Sequence, residues 1–422
     1  MDKIEVEGIN RLEGAIQISG SKNSSLPILA SSLLIDEKII ISNVPNLSDV
    51  IFMIKILESL DSKINFKDSI CQIKSNQPAN LKVSYDLVRK MRASFLILGP
   101  LLAKYGYAEV SLPGGCAIGT RPVDLHINGF EKMGAEFVVK DGYIKGEVKG
   151  RLKGCEITLK KISVGATENI IMAATLAEGE TIIKNAACEP EISDLSNFLV
   201  SAGAEIYGHG TNVIKIKGKK KLRGSEFSVM PDRIEAGTFA LSVMGCSGKI
   251  ILENVNDLIC DHLKKIFEPL NVLSLNKKDN GEKLIVKKTN KFLDNVIFST
   301  KEYPGFPTDL QAQLIASLIK SEVQSVIKEN IFENRFMHVS ELRRMGANLK
   351  QKGSKIIING VREIHGAEVM ATDLRASSSL IIAGLMASGN TTVNRVYHLD
   401  RGYEKLEEKL KNCGVKIRRF SE

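Results

Sequence analysis

The sequence predicts an α/β protein of two compact domains, each built from three copies of one repeated unit with its helices inside and its sheets outside. Three observations carry this. At 422 residues the chain exceeds one ordinary core and suits two domains of roughly 200 residues each. A small-residue-rich helix pattern opens at Lys22, Arg92, Thr167, Glu235, Asp309 and Arg375, a period of about 70 residues that marks an internal repeat. That helix is apolar nearly all round, so a lone unit leaves it exposed, whereas three units packed about an axis bury it. A six-unit solenoid is the competing arrangement, but neither end of the chain reads as a polar cap.

The elements follow in order. Residues 1–7 alternate charged and apolar side chains and read as a strand from the outset, with no signal-peptide apolar core. The first helix of each unit falls at 26–34, 93–103, 170–176, 239–244, 313–319 and 378–386, rich in Ala, Ser and Leu. A β-branched strand follows in most units, at 39–44, 181–186, 249–255, 325–331 and 391–396. An amphipathic outer helix then starts near Asp49, Asp124, Glu191, Asp257, Arg335 or Arg401. Several of these helices end in Gly-Ala or Gly-Val, at 134–135, 203–204, 346–347 and 414–415, where glycine can take the left-handed cap. A second strand closes the unit, as at 212–217 and 355–358. Residues 22–230 form one expected domain, and 1–21 with 231–422 the other, because the sixth unit lacks room for a full set of strands.

Composition excludes several classes. Charged residues make up 25% and hydrophobic ones 43%, which suits a soluble globular chain without disordered stretches. With no tryptophan and 5% aromatics, the core must come from Ile, Leu, Val, Ala and Met. The 58 basic against 49 acidic residues give +9, which favours anionic partners. The basic residues are dispersed, with no aromatic-rich stripe or helix-turn-helix signature, so nucleic acid is not an expected partner. The most apolar segments, 94–103 and 379–387, reach only about half a membrane span and read as buried helices. The seven cysteines are scattered and odd in number, which points to a reducing, cytoplasmic setting. No clustered Cys/His set, H-E-x-x-H or G-x-G-x-x-G occurs, so neither metal nor cofactor is expected.

Four segments carry candidate chemistry. Ser19-Gly20-Ser21-Lys22-Asn23-Ser24-Ser25 leads straight into a helix, where backbone N–H groups and one lysine can hold phosphate. The spacing is not that of a Walker loop, and a solvated surface lysine is the plain alternative. The stretch from Leu112 to His126 packs three glycines and two prolines around Cys116, with Arg121 five residues on. A thiol there can have a lowered pKa and enter proton transfer or covalent chemistry, or be an inert loop cysteine. Tyr303-Pro304-Gly305-Phe306-Pro307-Thr308-Asp309 places a carboxylate at a helix start, where capping alone would explain it. Finally, Arg92 and Arg375 open the same helix in units two and six, and Arg335 and Arg401 open outer helices in units five and six. Arginines at corresponding positions of a symmetric array favour a shared anion site.

The ordered set Ser21-Lys22-Asn23, Pro113-Gly114-Gly115-Cys116, Phe306-Pro307-Thr308-Asp309, Asn334-Arg335-Phe336 and Asp400-Arg401-Gly402-Tyr403 resembles the UDP-N-acetylglucosamine 1-carboxyvinyltransferases, over essentially the whole chain. These enzymes share a superfamily with the shikimate-pathway enolpyruvyl transferase. The resemblance implies a two-domain inside-out α/β barrel of six βαβαββ units, three per domain, with the active site in the cleft between the domains. It implies transfer of the enolpyruvyl group of phosphoenolpyruvate to UDP-N-acetylglucosamine, the first committed step of peptidoglycan synthesis and so of cell-wall biogenesis, cell shape and cell division. Lys22, Arg121 and Arg401 would hold the phosphate of phosphoenolpyruvate, with Arg92 and Arg375 near the same pocket. Asn23 and Asp309 would contact the sugar, Asp309 as the base for its 3-hydroxyl. Cys116 would add to phosphoenolpyruvate and be the target of fosfomycin. Arg121, Pro122, Val123 and Asp124, with Lys161, Ser163, Val164 and Gly165, would hold the uridine nucleotide, and Arg335 would lie at the domain interface. Ala117 and Thr120 depart from the commonest family wording without removing a functional group. The alternatives are a 3-phosphoshikimate 1-carboxyvinyltransferase and a non-catalytic UDP-sugar-binding paralogue. The expected assembly is a monomer or weak homo-oligomer.

Overall fold

The computed structural model describes residues 2–9, 11–88, 91–111, 123–289 and 295–421. The chain divides into two compact units, one running between Gly20 and Met230 and one built from Pro231–Glu422 together with Met1–Ser19. We refer to them as the 20–230 unit and the 231–422 unit.

Six four-stranded sheets, none closed on itself, account for the strands of the described residues, three sheets in each unit. All six share one order: an edge strand pairs parallel with its neighbour, and the remaining pairs are antiparallel. The sheet of Glu156–Thr158, Glu180–Lys184, Val213–Lys217 and Glu205–Tyr207 shows why the sequence allows it. Thr181, Ile183, Ile214 and Ile216 alternate inward and are buried, while Lys184, Lys215 and Lys217 face solvent.

Two distant segments complete the sets. Glu226–Ser228 returns from the end of the 20–230 unit to pair parallel with Ile39–Ser42 of its first repeat. In the 231–422 unit, Leu12–Gln17 pairs parallel with Gly248–Glu253, and Asp2–Glu7 lies between Asn390–Asn394 and Ile417–Ser421. The N-terminal strand thus supplies the strand that the sixth repeat lacks.

The inner helices of each unit pack on one another. In the 20–230 unit these are Lys22–Ser31, the 3₁₀ turn Arg92–Ile97 running into Leu98–Tyr105, and Val164–Ala174. In the other they are Arg233–Cys246, Gln311–Ser317 and Leu374–Met386, and every residue of the last two is buried. Burial of leucines such as Leu380 and Leu385 contributes about 1.5–3 kcal/mol each. Small residues set the approach distance: a Cβ on Gly245 would sit 2.5 Å from the Met386 sulfur. The buried serines return their protons to the helix itself, as Ser377, Ser378 and Ser379 do to the carbonyls of Asp373, Arg375 and Ala376. The outer helices end as their glycines suggest, with φ of +94°, +96°, +99° and +82° at Gly134, Gly203, Gly346 and Gly414.

Three expectations need correction. The second repeat does have its strand, Tyr107–Ser111, but YAEVS carries one β-branched residue and gives little pattern to read. The outer helix of the fifth repeat starts at His338 instead of near Arg335, whose guanidinium is tied into the site below. That of the sixth repeat starts at Leu406; Arg401 ends the 3₁₀ turn Val396–Arg401, and Lys405 at φ +47° separates the two. No helix among the described residues is long and apolar enough to cross a membrane.

Candidate active site

In the 231–422 unit three of the singled-out residues meet. Asp309 sits in the 3₁₀ turn Thr308–Leu310 at the head of Gln311–Ser317, and its carboxylate caps nothing. Instead Oδ1 accepts from Arg335 Nη2 at 2.7 Å and Oδ2 from Arg375 Nη2 at 2.7 Å. Both arginine side chains are 5% exposed and that of Asp309 26%, so Asp309 is the most accessible of the three. Burial pushes the Asp309 carboxyl up, but the guanidiniums of Arg375 and then Arg335 outweigh this and hold it well below the usual carboxylate range. Asp309 is therefore ionised throughout the neutral range. A carboxylate so held is a hydrogen-bond acceptor for a hydroxyl and only a weak base.

The clamp is itself supported. Arg335 Nη1 donates to Thr308 Oγ1 at 3.0 Å, and Thr308 donates to Glu329 at 2.9 Å. Arg375 is the second residue of Leu374–Met386, whose N-cap Asp373 accepts from the backbone N–H of Arg375 and Ala376. Its other arm, Nη1, donates to the Tyr403 hydroxyl at 3.3 Å. Arg401 precedes Tyr403 by two residues and is partly buried. The partly buried His398 imidazole is held below its ordinary pKa by burial first and by Arg401 second.

The 20–230 unit holds the other candidates. Ser21 caps Lys22–Ser31 by accepting from the Ser24 N–H, which puts Lys22 in the first turn with Asn23 partly buried beside it. Lys22 Nζ lies 2.9 Å from Oδ2 of the buried Asp49, so its ammonium is paired and held rather than waving in solvent. Ser163 caps Val164–Ala174 in the same way, accepting from Ala166 N–H, and Val164 and Gly165 form the first turn of that helix. Lys161 and Asp124 are exposed, Val123 is half-buried, and Asp124 begins Asp124–Lys132. These are surface positions suited to a polar ligand, and no described contact joins them. Cys116, Arg121 and Pro122 lie outside the described residues.

Arg92 connects to this region through His126. The His126 Nδ1 is 3.0 Å from the amide nitrogen of Asn169, which also donates to Phe95 O, while the Asn169 oxygen accepts from Gly99 N–H at 2.8 Å. An amide N–H can only donate, so Nδ1 accepts and the ring proton sits on Nε2. Burial, and then Arg92, push this histidine down to about 3, so it stays neutral. A Cβ on Gly165 would lie 3.4 Å from its Cε1, which packs the imidazole against the first turn of Val164–Ala174.

Sequence reasoning missed Asp49 as the partner of Lys22, Tyr403 as the partner of Arg375, and the His126–Asn169 pair. In the sequence Asp49 reads only as the acidic start of a helix, and it does lie in the first turn of Ser48–Ser59. A histidine and an asparagine inside apolar helical stretches were the signal available for the last pair.

A family model described as EPSP synthase (3-phosphoshikimate 1-carboxyvinyltransferase) matches residues 6–410. The UDP-N-acetylglucosamine 1-carboxyvinyltransferase of Idiomarina loihiensis is 51% identical over 424 residues, covering 100% of both chains. That of Coxiella burnetii is 50% identical over 422 residues, covering 100% of this chain and 96% of its own. Among solved structures, the enolpyruvyl transferase NikO from Streptomyces tendae superimposes with a TM-score of 0.88 at 22% identity, covering 100% of this chain and 99% of that one. An EPSP synthase from Acinetobacter baumannii gives 0.75 at 18%, covering 100% of both. These two likenesses establish the enolpyruvyl transferase fold, and the near-half identity with the sequence relatives is more specific. The chain belongs to the EPSP synthase family and, within it, to the UDP-N-acetylglucosamine 1-carboxyvinyltransferases.

Proposed function

We propose that the protein transfers the enolpyruvyl group of phosphoenolpyruvate to the 3-hydroxyl of UDP-N-acetylglucosamine and releases phosphate. The observation that carries this reading is the full-length identity of 50% with relatives bearing that activity's name, against 18% with a 3-phosphoshikimate-type structure. The geometry supports it with an ionised carboxylate on a partly exposed side chain, an acceptor that suits a sugar hydroxyl.

The chemistry balances with these residues. The hydroxyl gives its proton toward Asp309 as its oxygen attacks C2, and C3 takes a proton, for which Cys116 is the proposed acid. The tetrahedral phosphate ketal then loses a proton from C3 and breaks its C2–O–phosphate bond, giving the enolpyruvyl ether. Lys22, Arg121 and Arg401 would hold the phosphate, with Arg92 and Arg375 adding positive charge. As the anionic substrate draws guanidinium charge toward itself, the Asp309 carboxylate gains basicity. Asn23 would contact the sugar. Val123, Asp124, Lys161 and the capped first turn Ser163–Gly165, with Arg121 and Pro122, would hold the uridine nucleotide, where free N–H groups suit a diphosphate. Arg335 fixes Asp309 from its second side. The product belongs to peptidoglycan precursor synthesis, a cytoplasmic process on which cell shape and division depend.

The test is phosphate release from phosphoenolpyruvate with each acceptor in turn. Release with UDP-N-acetylglucosamine and none with shikimate 3-phosphate is expected. Release with shikimate 3-phosphate alone would overturn the reading, and UDP-sugar binding without turnover would point to a non-catalytic protein.

A further inference from the structure

Tyr403 stands at the centre of a buried polar cluster that joins all three inner helices of the 231–422 unit. Its hydroxyl is 2.9 Å from Thr238 Oγ1 on Arg233–Cys246, and accepts from Gln313 Nε2 on Gln311–Ser317 at 3.1 Å. It donates to Ser378 Oγ on Leu374–Met386 at 3.1 Å and accepts from Arg375 Nη1 at 3.3 Å. The side chain is 2% exposed, and the Arg375 guanidinium also lies over its ring, 5.7 Å from the centroid. Gln313 Nε2 also ties the cluster to the backbone, 2.8 Å from Asp309 O and 3.1 Å from Thr238 Oγ1, its two hydrogens shared among three acceptors.

Such a cluster is costly to build in a core unless it is satisfied and serves a purpose. A phenylalanine would fill the same space but leave Gln313 Nε2 and Arg375 Nη1 each short of one acceptor. Arg375 meets Tyr403 through Nη1 and Asp309 through Nη2, so the hydroxyl and the carboxylate together fix the guanidinium. Four contacts from three inner helices, two of them from Leu374–Met386, set where that oxygen lies.

We propose that Tyr403 is a positioning residue for the transfer reaction, its hydroxyl locking Arg375 in the orientation that holds Asp309 beneath the acceptor hydroxyl. The proposal rests on the function given above. It distinguishes Tyr403 from the arginines: Tyr403 touches neither substrate and acts through Arg375.

The signs of the consequences are fixed. Arg375 depresses the Asp309 carboxyl, so loosening Arg375 weakens the depression and the carboxyl pKa rises toward its ordinary value. In Tyr403→Phe the acid limb of the kcat profile therefore moves to higher pH. Because a misoriented clamp loses near-attack geometry more than ground-state binding, kcat falls by about tenfold while the KM for UDP-N-acetylglucosamine stays nearly constant. Ser378→Ala removes the acceptor that orients the hydroxyl but leaves the ring in place, and shifts both quantities in the same direction by a smaller factor.

The experiment measures kcat, both KM values and the pH profile for wild type, Tyr403→Phe and Ser378→Ala. Calorimetric binding of UDP-N-acetylglucosamine serves as the check of folding. A second arm needs no turnover: carboxyl ¹³C titration of aspartate-labelled protein, with Asp309→Asn to assign the signal. The expected result is an Asp309 signal that titrates at higher pH in Tyr403→Phe than in wild type, together with the kcat loss. An Asp309 titration and a kcat profile both unchanged in Tyr403→Phe would overturn the proposal. So would a loss confined to KM. Wild type without turnover on these substrates would instead refute the assigned reaction, and the carboxyl titration would still decide the role of Tyr403.

Discussion

The two units repeat one architecture and use it differently. In the 231–422 unit, charge is gathered into the protein: Asp309 lies between Arg335 and Arg375, and Arg375 is bonded onward to a buried hydroxyl. In the 20–230 unit, the polar candidates stand at capped helix starts and at the surface, with Lys22 held by Asp49 and Lys161 and Asp124 exposed. Under the proposed function the difference separates two tasks. A group that must change its protonation during a reaction needs fixed neighbours, because its pKa is set by them. A group that recognises a nucleotide needs open N–H donors and reachable charges.

That contrast is broken most strongly at Asp309. Asp309→Asn keeps the shape and removes the base, so kcat falls by about 10²–10⁴-fold while the nucleotide sugar still binds, read by steady-state kinetics and calorimetry. The same substitution tests the electrostatics by stability against pH. The folded-state carboxyl is depressed, so its contribution is complete above the unfolded value of about 3.9 and is lost as pH falls toward the folded value. The stability gap between wild type and Asp309→Asn, from denaturant titrations, is thus expected to be flat near neutrality and to narrow only in acid. A gap that opens on acidification would mean that the arginines do not depress this carboxyl.

Lys22→Met tests the recognition side. Loss of a charge-assisted contact to phosphate raises the KM for phosphoenolpyruvate by about 10- to 100-fold, and leaves the buried Asp49 without this ammonium. An unchanged KM would make Lys22 a structural partner of Asp49 alone. The smallest effect is expected at Ser163→Ala, which removes the cap of Val164–Ala174 and costs about 1 kcal/mol of stability. If the turn it caps binds the diphosphate, the KM for UDP-N-acetylglucosamine rises as well; a stability loss without that rise would limit Ser163 to the fold.

What the sequence made legible follows the same division. The repeat, the inner helices and the glycine caps were readable because each rests on local pattern: apolar all-round helices, and Gly134 or Gly203 at a helix end. The edge strands were not, since Lys82–Val83 and Glu156–Thr158 are too short to show a period and form only by pairing with distant strands. Asp309 was visible as a carboxylate at a helix start, where a cap was the simpler account. Its partners lie 26 and 66 residues away, Arg335 in the same repeat and Arg375 in the next, and no local pattern links them to it. Tyr403 was legible only as part of a motif, because its partners Thr238 and Gln313 come from other repeats, 165 and 90 residues distant.

The proposed reaction is an addition followed by an elimination, with a proton placed on C3 of phosphoenolpyruvate and another removed. Running the reaction with UDP-N-acetylglucosamine in D₂O and examining the vinyl group of the product by NMR and mass spectrometry tests it most directly. The tetrahedral intermediate carries a methyl group that has taken one deuteron, so elimination is predicted to leave deuterium in the product's vinyl CH₂ as phosphate is released. A fully protiated vinyl group formed with stoichiometric phosphate release would contradict the account, in which a methyl group free to rotate loses H as well as D.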